Sequence, residues 1–158
     1  MRTLIAKDPY LDHPESSFWV RAYWPASWIS HVVAPTGEPC VVAFRLRVTL
    51  DAPLRIRAHV SADERYRLFI DGAPVGRGPE RGEQRHWYFE TYDLDLAAGE
   101  HVIVGLTWSF GLSGPAPFAQ LGVRTGFLFA VEGQDPARFN TGQATGWQSL
   151  RIGGVALT

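Results

Sequence analysis

From Val42 the chain alternates strictly between apolar and polar positions. Phe44, Leu46, Val48 and Leu50 are apolar, with Arg45, Arg47 and Thr49 between them. A period of two predicts a strand with one buried face. Asp51-Ala52-Pro53 breaks the pattern. Leu54, Ile56, Ala58 and Val60 then alternate with Arg55, Arg57 and His59. Ser61-Ala62-Asp63-Glu64 reads as a polar turn, and Tyr66, Leu68 and Ile70 follow, interleaved with Arg65, Arg67 and Phe69. Asp71-Gly72 is a tight-hairpin signal, with Ala73-Pro74-Val75 starting the return strand. Residues 76–85 are irregular. Residues 86–96 read as another strand and residues 97–100 as a turn. Residues 101–110 are strongly β, with Val102, Val104, Leu106 and Trp108 expected on the core face and Phe110 on the same side. Residues 111–117 form a Gly/Pro loop. Residues 118–124 and 126–132 predict two further strands joined near Thr125-Gly126, and a last segment reaches Trp147 and Leu150.

About eight short strands at a spacing of roughly ten residues, with no helical period, predict an all-β antiparallel sandwich or jelly roll. Residues 39–150 are expected to form that domain. Residues 1–38 hold three tryptophans among five prolines up to Pro39, which forbids a long helix there. This aromatic lead-in is expected to fold back onto the domain, because left in water it would expose too much apolar area. Residues 151–158 read as a tail or the start of a linker.

Composition sharpens this picture. The 158 residues suit one domain with a real core. With 16 Gly, 11 Pro and 13% aromatics, the chain is too apolar for disorder and too rich in turn-formers for a helical bundle. A net charge of -1 gives no support for nucleic acid or an anionic membrane as partner. The single cysteine, Cys40, excludes an internal disulfide framework and a thiolate zinc site. No apolar run is long enough to span a membrane. Residues 1–14 lack the apolar core of a signal peptide, so a cytoplasmic chain is the default expectation. Of 15 basic residues only Lys7 is lysine, which fits a genomic bias before a preference for planar cations.

With the hairpin RYRLFIDG at 65–72, TYDL at 91–94 and GEHVI at 99–103, residues 61–110 resemble the N-terminal β-sandwich domain of bacterial α-L-rhamnosidases. Residues 65–72 (RYRLFIDG) are similar to that family's Y-x-L-x-(I/L)-N-G hairpin, and Val75-Gly76 completes its NG-x-x-VG turn. Thr91-Tyr92-Asp93-Leu94 resembles its tYD(L/V) strand, and Gly99-Glu100-His101-Val102-Ile103 its G-E-N-V-I start of a long strand. Trp28-Ile29, Phe44-Arg45 and Trp147 sit where the family has its WI, FR and closing Trp landmarks. Asp71 and His101 depart from the pattern, each replacing an Asn. The resemblance covers residues 28–150 and implies a galactose-binding-like jelly roll. It further implies that the catalytic acid and base lie on a separate (α/α)-barrel domain, which this chain is too short to contain. These motif residues suit turns and strand ends, so they mark a fold more than a chemistry.

Catalytic signals are weak. Glycoside hydrolysis needs two carboxylates roughly 5–10 Å apart, one with a raised pKa. The best acids, Glu80, Glu83 and Glu90, lie in or beside an Arg-rich loop, where arginine pairing is expected to lower their pKa. There is no G-x-S-x-G elbow, P-loop or dinucleotide fingerprint. Ser109 and Ser113 have no evident base, and Cys40 reads as a small core residue. The five histidines show no metal-ligand spacing. No cofactor is expected; a structural Ca²⁺ occurs in some jelly-roll loops, but no D-x-D-x-D-G run supports one here.

Three features could bind something. Arg77, Glu83, Gln84, Arg85, Trp87 and Tyr88 supply an aromatic platform and planar hydrogen-bonding groups, as a sugar site requires. The same loop could instead dock on a catalytic domain or be plain structure. The Gly/Pro loop after Trp108 could rim a cleft, although Trp108 itself reads as core. Arg45/Arg47, Arg55/Arg57 and Arg65/Arg67 are i, i+2 pairs, so each pair shares one face of its strand. Were those strands neighbours, six arginines would share one sheet face, needing interspersed acids or an acidic partner. The reading is a non-catalytic accessory domain of a rhamnosidase-like glycoside hydrolase, supporting the catalytic domain and contacting glycan. A free-standing carbohydrate-binding module is the alternative, and an independent hydrolase the third.

Overall fold

The computed structural model describes residues 1–13, 23–33, 38–80, 82, 87–111, 125–143 and 145–154. Among them, nine strands form two antiparallel sheets. The strands are β1 (Arg2–Thr3), β2 (Cys40–Leu50), β3 (Leu54–Ala62), β4 (Arg65–Ile70), β5 (Ala73–Gly78), β6 (Glu90–Leu96), β7 (Gly99–Ser109), β8 (Phe127–Val131) and β9 (Gln148–Ile152). One sheet has the order β1-β6-β3-β8 and the other β5-β4-β7-β2-β9. The fold is an all-β sandwich, as the alternation predicts. A single helical turn, α1 (Pro136–Phe139), is capped by the Asp135 carboxylate, which accepts from the Ala137 N–H.

Local rules explain most of these elements. On β2, Val42, Phe44, Leu46, Val48 and Leu50 are buried while Arg45, Arg47 and Thr49 are exposed. The β4–β5 hairpin turns at Asp71 (φ 52°) and Gly72 (φ 78°), the two positive values a type I′ turn demands. The core lies between the sheets. Phe44 stacks on Phe127 at 5.5 Å, and Tyr66 meets the same ring edge-on at 6.2 Å. Each such fully buried side chain contributes about 1.5–3 kcal/mol.

The inner face of β7 is the reverse of the expected one. His101, Ile103, Gly105, Thr107 and Ser109 are buried, whereas Val102, Val104, Leu106 and Trp108 are half-buried on the outer face. The reason is the Phe127 ring, which fills the space a side chain at Gly105 would need. Trp108 is therefore not a core residue. The stretch read as a polar turn also differs. Ser61 and Ala62 still belong to β3, and Ser61, Asp63 and Glu64 are all buried. Glu64 (φ 71°) accepts from the Ser109 hydroxyl at 2.8 Å and the Phe110 N–H at 2.7 Å, so the turn from one sheet to the other is tied to the end of β7.

Further differences lie at the edges. β1 was not foreseen; two residues are too few for a period. The strand predicted from residue 86 begins at Glu90, and β9 runs to Ile152. The strand predicted over residues 118–124 and the Gly/Pro loop from 112 lie outside the described residues. Ile29 forms a bridge with Phe127, so the lead-in closes on β8. Among the described residues, no helix is long and apolar enough to cross a membrane.

Candidate functional site

The outer face of the four-stranded sheet is divided in two. At one end β3 and β6 carry charged pairs. Arg57 donates to both Asp93 oxygens, at 2.7 and 3.1 Å, and holds that carboxyl at about 2. Arg55 stands 3.7 Å from Asp95. At the other end the same outward row of β3 continues as His59 and Ser61, and both are buried. His59 is roofed by three rings from other segments: Tyr10 at 5.6 Å, Trp24 at 5.8 Å and Phe89 at 5.5 Å, all edge-on. Its Nε2 lies 2.8 Å from Glu132 and its Nδ1 2.9 Å from the Thr91 hydroxyl. Burial lowers the His59 pKa, against the opposing pull of Glu132. The neutral tautomer that suits this network donates from Nε2–H to Glu132 and accepts from Thr91. Burial also pushes the Tyr10 phenol up, with Glu132 and Asp8 adding to it.

Beside this roof is a cleft of about 290 Å³. Trp24, Trp28, Trp87, Tyr88 and Phe89 wall it, with Asp8 and Ser61 as its polar groups. The Trp28 and Trp87 rings meet at 5.2 Å, tilted by 57°. The Ser61 hydroxyl donates to the Tyr88 carbonyl at 2.7 Å, which ties the 87–89 segment to the end of β3. Asp8 accepts from the Tyr10 N–H at 2.9 Å. Trp28 and Tyr88 remain 42% and 56% exposed, so the cleft keeps aromatic surface open to solvent. Aromatic walls with a few polar groups are the composition of a small-molecule site.

No protein-family model and no curated protein matches the chain. Among solved structures it is similar to a GH78 family rhamnosidase of Bacillus sp. GL1, with 29% identity and a TM-score of 0.67. The match covers 83% of this chain and 14% of that one. The chain is similar to one domain-sized part of a rhamnosidase. It thus spans about one seventh of the rhamnosidase's length.

In this rhamnosidase-like domain the two departures from the expected motifs meet. Asp71 Oδ2 lies 2.7 Å from His101 Nδ1, and Asp71 Oδ1 accepts from the Val102 N–H at 2.7 Å. His101 Nε2 donates to the Ala97 carbonyl at 2.9 Å. With acceptors at both ring nitrogens, the imidazolium is favoured, so the His101 pKa is raised, first by Ala97 and then by Asp71. Asp71 is lowered, first by the Val102 N–H and then by His101.

The residues named for sugar binding are not all brought together. Trp87 and Tyr88 line the cleft, but Arg77 does not. It lies on β5, opposite Arg67, on the outer face of the other sheet. Glu83, Gln84 and Arg85 lie outside the described residues. The lead-in rings Trp24 and Trp28 and the Asp8 carboxylate were missed, because nothing local in residues 1–33 says which strand they cover. The expectation for Glu90 is corrected. Its carboxylate is paired with Arg2 at 2.5 Å, yet burial dominates and its pKa is raised. Six arginines do not share a face either. Arg55 and Arg57 are on β3, in the four-stranded sheet, while Arg45, Arg47, Arg65 and Arg67 are in the five-stranded sheet with β7 between their strands. Among the described residues no cluster of three His, Cys, Asp or Glu could hold a metal ion.

Proposed function

We propose that the chain is a non-catalytic accessory β-sandwich of an α-L-rhamnosidase-like glycoside hydrolase, supporting a catalytic domain elsewhere in that enzyme. The observation behind this reading is the match to a rhamnosidase over 83% of this chain but 14% of the other. The buried acid Glu90 is ion-paired with Arg2 at 2.5 Å, and the nearby Glu80 carboxylate adds to the rise in its pKa. The test compares this chain with the product of the whole gene on an aryl α-L-rhamnoside. The whole product is expected to turn it over and the 158-residue chain is not. Activity of the chain alone that survives purification and disappears in Glu90→Gln would overturn the accessory reading.

The aromatic cleft supports a second role, contact with glycan. An indole face covers the C–H face of a pyranose, and Asp8 and Ser61 supply oxygens for hydroxyl groups. Tryptophan fluorescence titrated with rhamnose, galactose and plant oligosaccharides is expected to respond in the millimolar range. Trp87→Ala should abolish the response. A flat titration, or one unchanged in Trp87→Ala, removes this role. The same cleft would serve a free-standing carbohydrate-binding module, which an ending of the gene at Thr158 would favour.

A further inference from the structure

The outer row of β7 is its apolar one. Ile103 points into the core, while Val102, Val104, Leu106 and Trp108 form a half-buried row on the outside. An antiparallel strand with one wet face ordinarily puts its polar row outside, and β7 does the reverse, with His101, Thr107 and Ser109 inside. β2, its neighbour, alternates cleanly over its second half, so the outer row of β7 stands apart from its surroundings. Antiparallel register places Phe69 and Leu150 on the same outer face, opposite Val104 and Ala43.

Arginines ring this row. Register puts Arg45 opposite Val104, Arg47 opposite Val102, Arg65 opposite Trp108 and Arg67 opposite Leu106. Arg77 stands directly opposite Arg67. Like charges directly opposite each other are unfavourable in a sheet. Among the described residues neither Arg67 nor Arg77 has an acid partner. Arg45 donates to Gln148, Arg65 donates to the Glu64 carbonyl, and Arg47 reaches Glu100 at 3.6 Å across an exposed pair. The other sheet differs: there Arg55 and Arg57 each have an aspartate. An apolar centre with Trp and Arg, inside a charged rim, is the anatomy of a protein interface.

We propose that this outer face of the five-stranded sheet docks on an acid-rimmed apolar surface of the enzyme to which the domain belongs. The proposal rests on the accessory-domain reading. Its positive rim opposes pairing with a second copy through the same face and selects a carboxylate-bearing surface. The aromatic cleft, on the other sheet, would remain open.

Phenylglyoxal modification of arginines, mapped by mass spectrometry, tests this in the whole gene product and in the chain. Arg45, Arg67 and Arg77 are expected to react about tenfold more slowly in the whole product, equivalent to about 1.4 kcal/mol in favour of the docked state. Arg55, on the opposite side of the sandwich, should react equally in both. Reversing charge in Arg67→Glu/Arg77→Glu should restore the reactivity of Arg45, while the melting temperature of the chain alone is retained. Equal reactivity of the three arginines in both proteins would overturn the proposal. So would protection that survives the charge reversal, or protection in the chain alone through dimer formation. Rhamnosidase activity is read separately. An active product with open arginines removes the docking face only, and protected arginines in a product without glycosidase activity remove the accessory reading only.

Discussion

Two histidines in this domain have opposite electrostatic environments. His101 donates from both ring nitrogens, to Ala97 and Asp71, and its pKa is raised above 6.5. Its contribution to stability is full below pH 6.5 and is lost as pH rises through the raised folded value. Asp71, lowered from 3.8, contributes above that value, and its share is lost as pH falls through the lowered one. His59 is the reverse case. It is buried and lowered, so below pH 6.5 the unfolded chain takes up a proton that the folded chain resists, and stability falls. Denaturant titrations across pH 5–9 are expected to show these two limbs. His101→Asn should flatten the alkaline limb and leave the acid one, and His59→Gln should do the opposite. An alkaline limb that survives in His101→Asn would show that the Asp71–His101 contact carries no linkage. Sequence comparison marks Asp71 and His101 only as separate departures from two motifs. Their compensation appears when the β4–β5 turn meets the start of β7.

At the scale of elements, β7 decides the packing. Alternation in residues 101–110 is legible, but its more apolar row, Val102 to Trp108, faces outward, so period alone predicts the wrong inward face. The choice rests on Gly105, where the Phe127 ring from β8 of the other sheet needs the room. Putting a methyl group there displaces Phe127 from its packing with Phe44, Tyr66 and Trp147. Gly105→Ala is expected to destabilise the domain by about 1–3 kcal/mol, the usual range for overpacking. Equilibrium unfolding in urea measures it, and a change under about 0.5 kcal/mol, the usual range for surface substitutions, would mean that β8 yields easily. The lead-in shows the same limit of local reading. Its aromatics predict that it packs somewhere, while only the assembled sheet shows that Tyr10 and Trp24 cover His59.

At the scale of the molecule, the pairings are mostly distant in sequence. β2 pairs with β7 from Cys40↔Ser109 to Leu50↔Gly99, and with β9 from Arg45↔Gln148 to Val41↔Ile152. Closing such long loops comes before the contacts reward it, so refolding is expected on the millisecond-to-second scale. Stopped-flow tryptophan fluorescence would read this, and a microsecond phase carrying the whole amplitude would contradict it. The distant pairings also mark the boundary of what sequence can say. Period-two alternation, the Asp-Gly turn and the rhamnosidase-like motifs determined the fold class, most strands and the inward row of β2, because these depend on neighbours within a few residues. Strand order, the inward face of β7, the separation of the arginines onto two sheets and the union of Trp24, Trp28, Trp87 and Tyr88 in one cleft were decided only in the tertiary structure. Each depends on which distant surface an element meets, and a strand whose apolar row faces outward, or an aromatic tail with no partner of its own, carries no local record of that choice.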